Sequence, residues 1–81
     1  MTLWFENSQG NERVIAENCD TWPQVTREIH KFIHECNAKK PKGATPFKSY
    51  YTRVWQQEDG RYIIDVGSHT EFFLWDGVYP G

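Results

Sequence analysis

The feature that most constrains this chain is the turn Glu58-Asp59-Gly60, which separates two runs rich in β-branched and aromatic residues. Such runs around a short turn containing glycine predict an antiparallel β-hairpin. A three-residue loop with Gly60 in the left-handed conformation would give the pairs Val54–Ile64, Trp55–Ile63 and Arg53–Asp65, whereas a two-residue loop would pair Val54 with Asp65. We predict the first register, because each cross-strand pair of like character or opposite charge contributes about 0.2–1 kcal/mol.

Two further stretches have the alternating pattern of strands. Residues 70–75 follow the hairpin closely, so residues 48–75 are predicted to form a three-stranded antiparallel meander, with the first strand over residues 49–56. Residues 2–6 and 13–17 flank the turn at residues 7–11 and alternate apolar with polar side chains. So short a connection predicts a second antiparallel hairpin within residues 1–17.

One amphipathic helix is predicted over residues 21–37. Thr21-Trp22-Pro23-Gln24 matches a capping box, in which the Thr21 hydroxyl and the Gln24 side chain each satisfy a backbone N–H of the other residue. The apolar positions recur at a spacing near 3.6 residues: Trp22, Val25, Ile29, Phe32, Ile33 and Cys36. Residues 38–47 form a basic connector, since Pro41 and Pro46 cannot continue a helix.

These elements predict a single α+β domain over residues 1–81, with the order ββαβββ and a loosely held tail at residues 76–81. The simplest arrangement is two-layered, with the helix packed on one face of an antiparallel sheet. The residues expected beneath the helix are Leu3, Phe5, Val54, Ile64, Val66 and either Phe72 or Phe73.

The opposite face of the sheet is the more informative one. Alternation places Tyr51, Arg53, Trp55, Ile63 and Asp65 there, and Trp4 and Ile15 join them from the first hairpin. Exposed aromatic patches mark interaction surfaces, so we expect self-association or partner binding, with an interface at Trp4, Ile15, Trp55 and Ile63. The alternative is that the faces are reversed and these rings belong to the core.

Composition narrows the classes of partner. The net charge of -2 excludes a generally basic nucleic-acid coat, so any phosphate contact must be local. No apolar run approaches the roughly 20 residues that span a bilayer, and no leader precedes the first strand, so we expect a cytosolic protein. Cys19 and Cys36 lie at opposite ends of the predicted helix, too far apart for a disulfide, which fits a reducing compartment.

A local basic region suggests a site for phosphate and base. The cations Lys39, Lys40, Lys42, Lys48 and Arg53 are interleaved with the rings of Phe47, Tyr50 and Tyr51. Cations bind phosphate and rings stack on bases, so this region predicts nucleotide recognition. The alternative is a solvated helix C-terminus, whose lysines complement the helix dipole. That alternative explains Lys39 and Lys40 better than Lys48 and Arg53.

The segment Gly67-Ser68-His69-Thr70 joins the last two strands and offers hydroxyls, an imidazole and backbone N–H groups. A bend of this kind can bind an anion, although an ordinary turn would also place Ser and Thr here. The predicted ligand-binding residues are therefore Lys42, Lys48, Tyr51, Arg53, Ser68, His69 and Thr70. Ser68 and His69 are neighbours in an extended segment and point apart, so they cannot act as nucleophile and base.

No other grouping indicates catalysis or a metal. His30 and His34 have the i, i+4 spacing of a metal-binding helix, with His69 or Glu35 as a third ligand. A solvated helix face explains them better, because no HExxH or CxxC motif accompanies them. Neither cysteine has an adjacent base. We therefore expect a protein that is not an enzyme and that has no cofactor and no metal.

Two segments carry a family resemblance: residues 45–55, TPFKSYYTRVW, and residues 64–73, IDVGSHTEFF, together with the opening LWFEN. With these segments the chain resembles small uncharacterised proteins encoded by phages and prophages of Gram-positive bacteria. The resemblance covers most of the chain, but it brings no catalytic motif and no family site residues. It implies a context, namely the cytoplasm of an infected bacterium.

Taken together, these expectations describe a non-enzymatic phage accessory protein that counteracts host defence by binding. One form would sequester a nucleotide immune signal, with Lys42, Lys48 and Arg53 on phosphates and Tyr51 stacking, in a site between subunits of a homo-oligomer. The alternative form is a protein–protein inhibitor of a defence effector, of the anti-CRISPR type, anchored by Trp55 and Trp4. A structural or DNA-packaging accessory is a second alternative.

Overall fold

A computed structural model describes residues 1–80 of the chain. Its elements follow the predicted order ββαβββ: β1 (Leu3–Glu6), β2 (Glu12–Ala16), α1 (Trp22–Lys39), β3 (Arg53–Gln56), β4 (Tyr62–Asp65) and β5 (Phe72–Trp75). The five strands form one antiparallel sheet in the order β2-β1-β5-β4-β3. The predicted α+β class is therefore confirmed, and the last strand of the chain lies at the centre of the sheet.

The β3–β4 hairpin has the predicted register, with Val54 opposite Ile64, Trp55 opposite Ile63 and Arg53 opposite Asp65. The Gln57 N–H donates to the Arg61 carbonyl at 2.7 Å, which closes a three-residue loop ending in Gly60 at φ 92°. Glycine adopts this left-handed conformation without steric cost, so the loop length and the register follow from its position.

The helix α1 begins with the predicted capping box. The Thr21 hydroxyl accepts the N–H of Gln24 at 3.4 Å, and Gln24 Oε1 accepts the N–H of Thr21 at 2.9 Å. The helix ends at Lys39, two residues beyond the predicted end, because Lys40 is the residue that Pro41 forces into extended conformation.

The core lies between α1 and one face of the sheet. Val25, Ile29, Phe32 and Ile33 are the buried residues of the helix, and they face a layer of sheet residues that includes Leu3, Phe5, Val54, Ile64, Val66, Phe73 and Trp75. The structure thus selects Phe73 over Phe72. The Phe32 ring lies 4.6 Å from the Phe5 ring and 5.8 Å from the Phe73 ring, measured between centroids.

Trp75 is the largest fully buried side chain. Its indole N–H donates to the Cys19 carbonyl at 2.7 Å, so its one polar group is satisfied inside the core. This contact fixes the segment before α1 against the central strand. Cys19 and Cys36 are both free thiols.

Ile15 does not lie where alternation predicts. Leu3 pairs with Ala16 but Trp4 pairs with Val14, so Ile15 is an extra residue in β2, a β-bulge. It packs against the core and lines a small hollow with Phe32 of α1. The expectation that Ile15 joins the uncovered face is therefore wrong, and Val14 takes that position.

The strand predicted over residues 49–56 begins only at Arg53. Residues upstream are held by two other contacts. The Asn37 side chain bonds to both the N–H and the C=O of Phe47, each at 2.7 Å, and the Tyr50 N–H donates to the Val66 carbonyl at 3.0 Å. The connector is therefore pinned to the end of the helix before the chain enters β3.

Asp76, Gly77 and Tyr79 of the predicted tail contact the rest of the chain, so this part is not loosely held as predicted, whereas Val78 and Pro80 are exposed. The Thr2 N–H donates to the Asp76 carboxylate at 2.7 Å, and the Tyr79 ring lies 4.7 Å from the Trp22 ring. Gly77 is buried against the Trp75 indole. Gly81, the last residue of the predicted tail, lies outside the described residues.

Candidate binding surface on the uncovered face of the sheet

A row of apolar side chains crosses the face of the sheet opposite α1. Cross-strand pairing aligns Val14, Trp4, Leu74, Ile63 and Trp55 from β2 to β3. Val14 and Trp55 at the two ends are 50% and 43% exposed, whereas Leu74 and Ile63 in the middle are buried. We call this side of the sheet the open face, because among residues 1–80 no helix packs on it.

Arg61 covers the middle of the open face. Its guanidinium donates to both carboxylate oxygens of Glu12, at 2.8 and 3.3 Å, and lies 5.0 Å from the centroid of the Trp4 ring. Because β5 and β1 lie between β4 and β2, this side chain bridges across them. The carboxylates of Glu12 and Asp59 raise the pKa of Arg61, so its charge is permanent. The bridge explains why Trp4 is only half-exposed.

Asp65 lies at the β3 side of the open face and is surrounded by polar groups. Its carboxylate is buried and accepts the backbone N–H of Gly67 at 2.8 Å and a terminal nitrogen of Arg53 at 3.1 Å. His69 Nδ1 lies 3.9 Å from the same carboxylate, and His69 Nε2 lies 3.3 Å from the Tyr51 hydroxyl. The Arg53 guanidinium also lies 5.5 Å from the Tyr51 ring and 5.9 Å from the Trp55 ring.

Burial and hydrogen bonding have opposite effects on the pKa of the Asp65 carboxyl group. Burial alone would raise the pKa of Asp65, but the Gly67 N–H, the Arg53 guanidinium and the nearby His69 outweigh burial and lower that pKa. Asp65 is therefore a fixed negative charge at neutral pH, and it neutralises much of the charge of Arg53.

The segment between β4 and β5 owes its shape to two residues with positive φ. Gly67 has φ 108°, and a Cβ there would lie 3.2 Å from two Tyr50 side-chain atoms. His69 has φ 64°, which is uncommon for a residue other than glycine and places its ring beside Tyr51. The Ser68 hydroxyl instead contacts Thr70 at 3.2 Å and Glu71 at 3.4 Å.

The predicted ligand-binding residues thus fall into separate groups. Tyr51, Arg53 and His69 surround Asp65. Lys48 and Ser68 line a different hollow with Lys40, Tyr50 and Glu71, and Thr70 adjoins it through Ser68. Lys42 is exposed in the turn that the Ala44 N–H closes on the Pro41 carbonyl at 3.1 Å. Within residues 1–80, no hydrogen bond or ion pair joins Lys42 to either group.

The predicted interface residues also differ in accessibility. Trp55 is exposed on the open face, Trp4 lies beneath Arg61, Ile63 is buried, and Ile15 lies on the helix side. Sequence reasoning missed Arg61 and Glu12, which are 49 positions apart, since no local pattern relates them. The placement of Asp65 on the open face did follow from the hairpin register.

The part of the chain that the structure describes contains neither a metal-binding cluster nor a membrane-spanning helix. Within residues 1–80 no group of three His, Cys, Asp or Glu side chains is placed to hold a metal ion, and His30 and His34 are both exposed on α1. No described helix is both long and apolar enough to cross a bilayer. Comparison of the chain with protein-family models, curated proteins and solved structures gives no match.

Proposed function

We propose that this chain is a non-enzymatic accessory protein that acts by binding another protein through the β3 side of the open face. The observation that carries the proposal is the exposed group Tyr51, Arg53 and Trp55, in which a guanidinium lies between two rings. Trp, Tyr and Arg are the residue types that dominate the energetics of protein interfaces. All three side chains are exposed in the part of the chain that the structure describes.

The electrostatics favour a protein partner over a nucleotide. A phosphate bound to Arg53 would also approach the permanently charged carboxylate of Asp65, 3.1 Å from the guanidinium. Lys48 lines a separate hollow, whose lining also includes the acidic Glu71, so it is not part of the group around Asp65. Capture of a nucleotide immune signal therefore becomes the second candidate, supported by the closeness of Tyr51, Arg53 and His69.

The phage resemblance supplies the biological setting of this proposal. The protein would act in the cytoplasm of an infected bacterium, and its partner would be a host defence effector that it inhibits. Small inhibitors need no catalytic group for this role, because occupying a functional surface of the effector is sufficient.

The test compares wild type with Trp55→Ala and Tyr50→Ala. Tyr50 is a matched control, since it is an exposed aromatic residue that lines the hollow near α1 and not the open face. Each protein is immobilised and exposed to lysate of a bacterium that carries defence systems, at about 0.15 M and about 1 M salt. We expect one host protein to be retained at both salt concentrations by wild type and Tyr50→Ala, and lost with Trp55→Ala.

Calorimetry against a panel of cyclic and linear nucleotides separates the two candidates. Absence of heat, together with the retained protein, supports the proposal. Nucleotide binding that weakens with salt and with Arg53→Ala would instead support the second candidate. In the cell, expression of wild type should restore plaque formation on a defended host, and Trp55→Ala should not. Equal retention of the host protein by Trp55→Ala would overturn the proposal.

A further inference from the structure

We propose that β3 is the edge through which two copies of this chain associate, antiparallel about a two-fold axis centred on Val54. In this arrangement Val54 pairs with the partner's Val54, and Arg53 lies opposite the partner's Trp55. The two five-stranded sheets would then form one continuous sheet. This inference is independent of the proposed function, because it requires no other protein.

The hydrogen-bonding pattern of the hairpin identifies the free backbone groups of β3. Gln57 bonds to Arg61, and bonded pairs alternate along an antiparallel ladder, so Trp55 and Arg53 direct their N–H and C=O groups toward β4. Val54 and Gln56 direct theirs away from the sheet. Two Val54 residues placed opposite each other can therefore exchange two N–H···O bonds across a two-fold axis.

The two edges of the sheet differ in how they are protected. At β2 the edge carries Glu12 and Arg13 and is interrupted by the bulge at Ile15, features that discourage pairing with another strand. β3 carries no lysine, proline or bulge, and a groove lined by Arg53, Val54 and Trp55 runs along it. Its one charged residue is already paired with Asp65. β3 is thus the edge open to a further strand.

The sequence of β3 is complementary to itself in this register. Symmetry gives two Arg53–Trp55 pairs on the open face, and a guanidinium beside an indole is attractive. Arg53 uses one terminal nitrogen for Asp65 and its side chain remains 61% exposed, so it can contact the partner's Trp55 ring in addition to the two rings of its own chain. Centring the axis on Trp55 instead would place Trp55 against Trp55 and Arg53 against Gln57, which loses both pairs.

A dimer of this kind enlarges the candidate binding surface. The open faces of the two copies become continuous, and Tyr51, Arg53 and Trp55 of both copies come together near the two-fold axis. An exposed aromatic group at the margin of one chain thereby becomes the centre of a larger surface. Binding residues are expected near the centre of an interface, where water is excluded.

The test uses two substitutions at one position. Trp55→Glu and Trp55→Lys both remove the indole, but they place opposite charges against the partner's Arg53. Sedimentation equilibrium over a concentration series gives the association constant of each, and circular dichroism verifies that each is folded. We expect wild type to dimerise, and Trp55→Lys to associate at least about tenfold more weakly than Trp55→Glu, because like charges directly opposite repel.

A third variant examines the backbone. Among the backbone groups, Val54→Pro removes the N–H that points away from β4, a position where an edge strand tolerates proline. It also replaces a partly buried valine side chain, so circular dichroism must first verify that the variant is folded. The folded variant should not dimerise. A wild type that remains monomeric throughout the concentration series would overturn the inference. Equal association by Trp55→Glu and Trp55→Lys would overturn the register. Neither of these two outcomes changes the result expected from the lysate experiment. The dimer can therefore be refuted without refuting the proposed binding of a host protein.

Discussion

Removal of the Asp65 carboxylate should destabilise the fold, because two contacts of this buried group are lost. The hydrogen bond from the Gly67 N–H to this buried, charged acceptor contributes about 1.5–3 kcal/mol. The ion pair with Arg53 adds at most about 1 kcal/mol, since the guanidinium is largely exposed. We expect Asp65→Ala to lower the free energy of unfolding by about 2–4 kcal/mol. Asp65→Asn retains an oxygen for the Gly67 N–H and should cost about 1–2 kcal/mol.

The same interactions predict a pH dependence of stability. The folded-state pKa of Asp65 is lowered below the unfolded value of about 3.9, so the unfolded chain takes up the proton first as the pH falls. The contribution of the carboxylate is therefore complete at neutral pH. It is lost as the pH falls below about 4 through the folded-state pKa.

Urea denaturation followed by circular dichroism, at pH about 7 and about 3, measures both effects. The difference between wild type and Asp65→Asn should shrink at the lower pH, because other carboxyl groups titrate equally in both proteins. Glu58→Gln, an exposed substitution in the β3–β4 loop, should change stability by no more than about 0.5 kcal/mol. A difference between wild type and Asp65→Asn that is the same at both pH values would refute the reasoning, as would a cost below about 1 kcal/mol for Asp65→Ala.

Three further predictions are tested by urea denaturation, circular dichroism or thiol labelling. Gly77→Ala should cost about 1–3 kcal/mol, because its Cβ would overlap the buried Trp75 ring; wild-type stability would contradict that packing. Arg61→Lys keeps the charge but loses the two-pronged contact across the open face, and should cost about 1 kcal/mol and change the near-ultraviolet dichroism of tryptophan. Burial raises the pKa of the Cys19 thiol, so a thiol reagent at neutral pH should label Cys36 first and Cys19 only as the protein unfolds. Equal rates at the two thiols would refute this.

Features that depend on neighbouring residues were predictable from the sequence. The loop ending in Gly60 set the β3–β4 register, and that register placed Arg53 against Asp65 and left Trp55 on the open face. The capping box at Thr21 set the start of the helix. The loop length and the helix start are each set by residues only a few positions apart. Both features can therefore be predicted without the tertiary structure.

Features that depend on distant residues were decided only by the tertiary structure. Pairing of β1 with β2 produced the bulge that turned Ile15 toward α1, and the sheet order allowed Arg61 to reach Glu12. The contact between Asn37 and Phe47 fixed the connector against the end of the helix. In each case the two partners are distant in sequence and meet only because the strands and the helix pack together. A periodic pattern in the sequence predicts which face of an element a residue occupies, but it does not predict which distant side chain lies opposite.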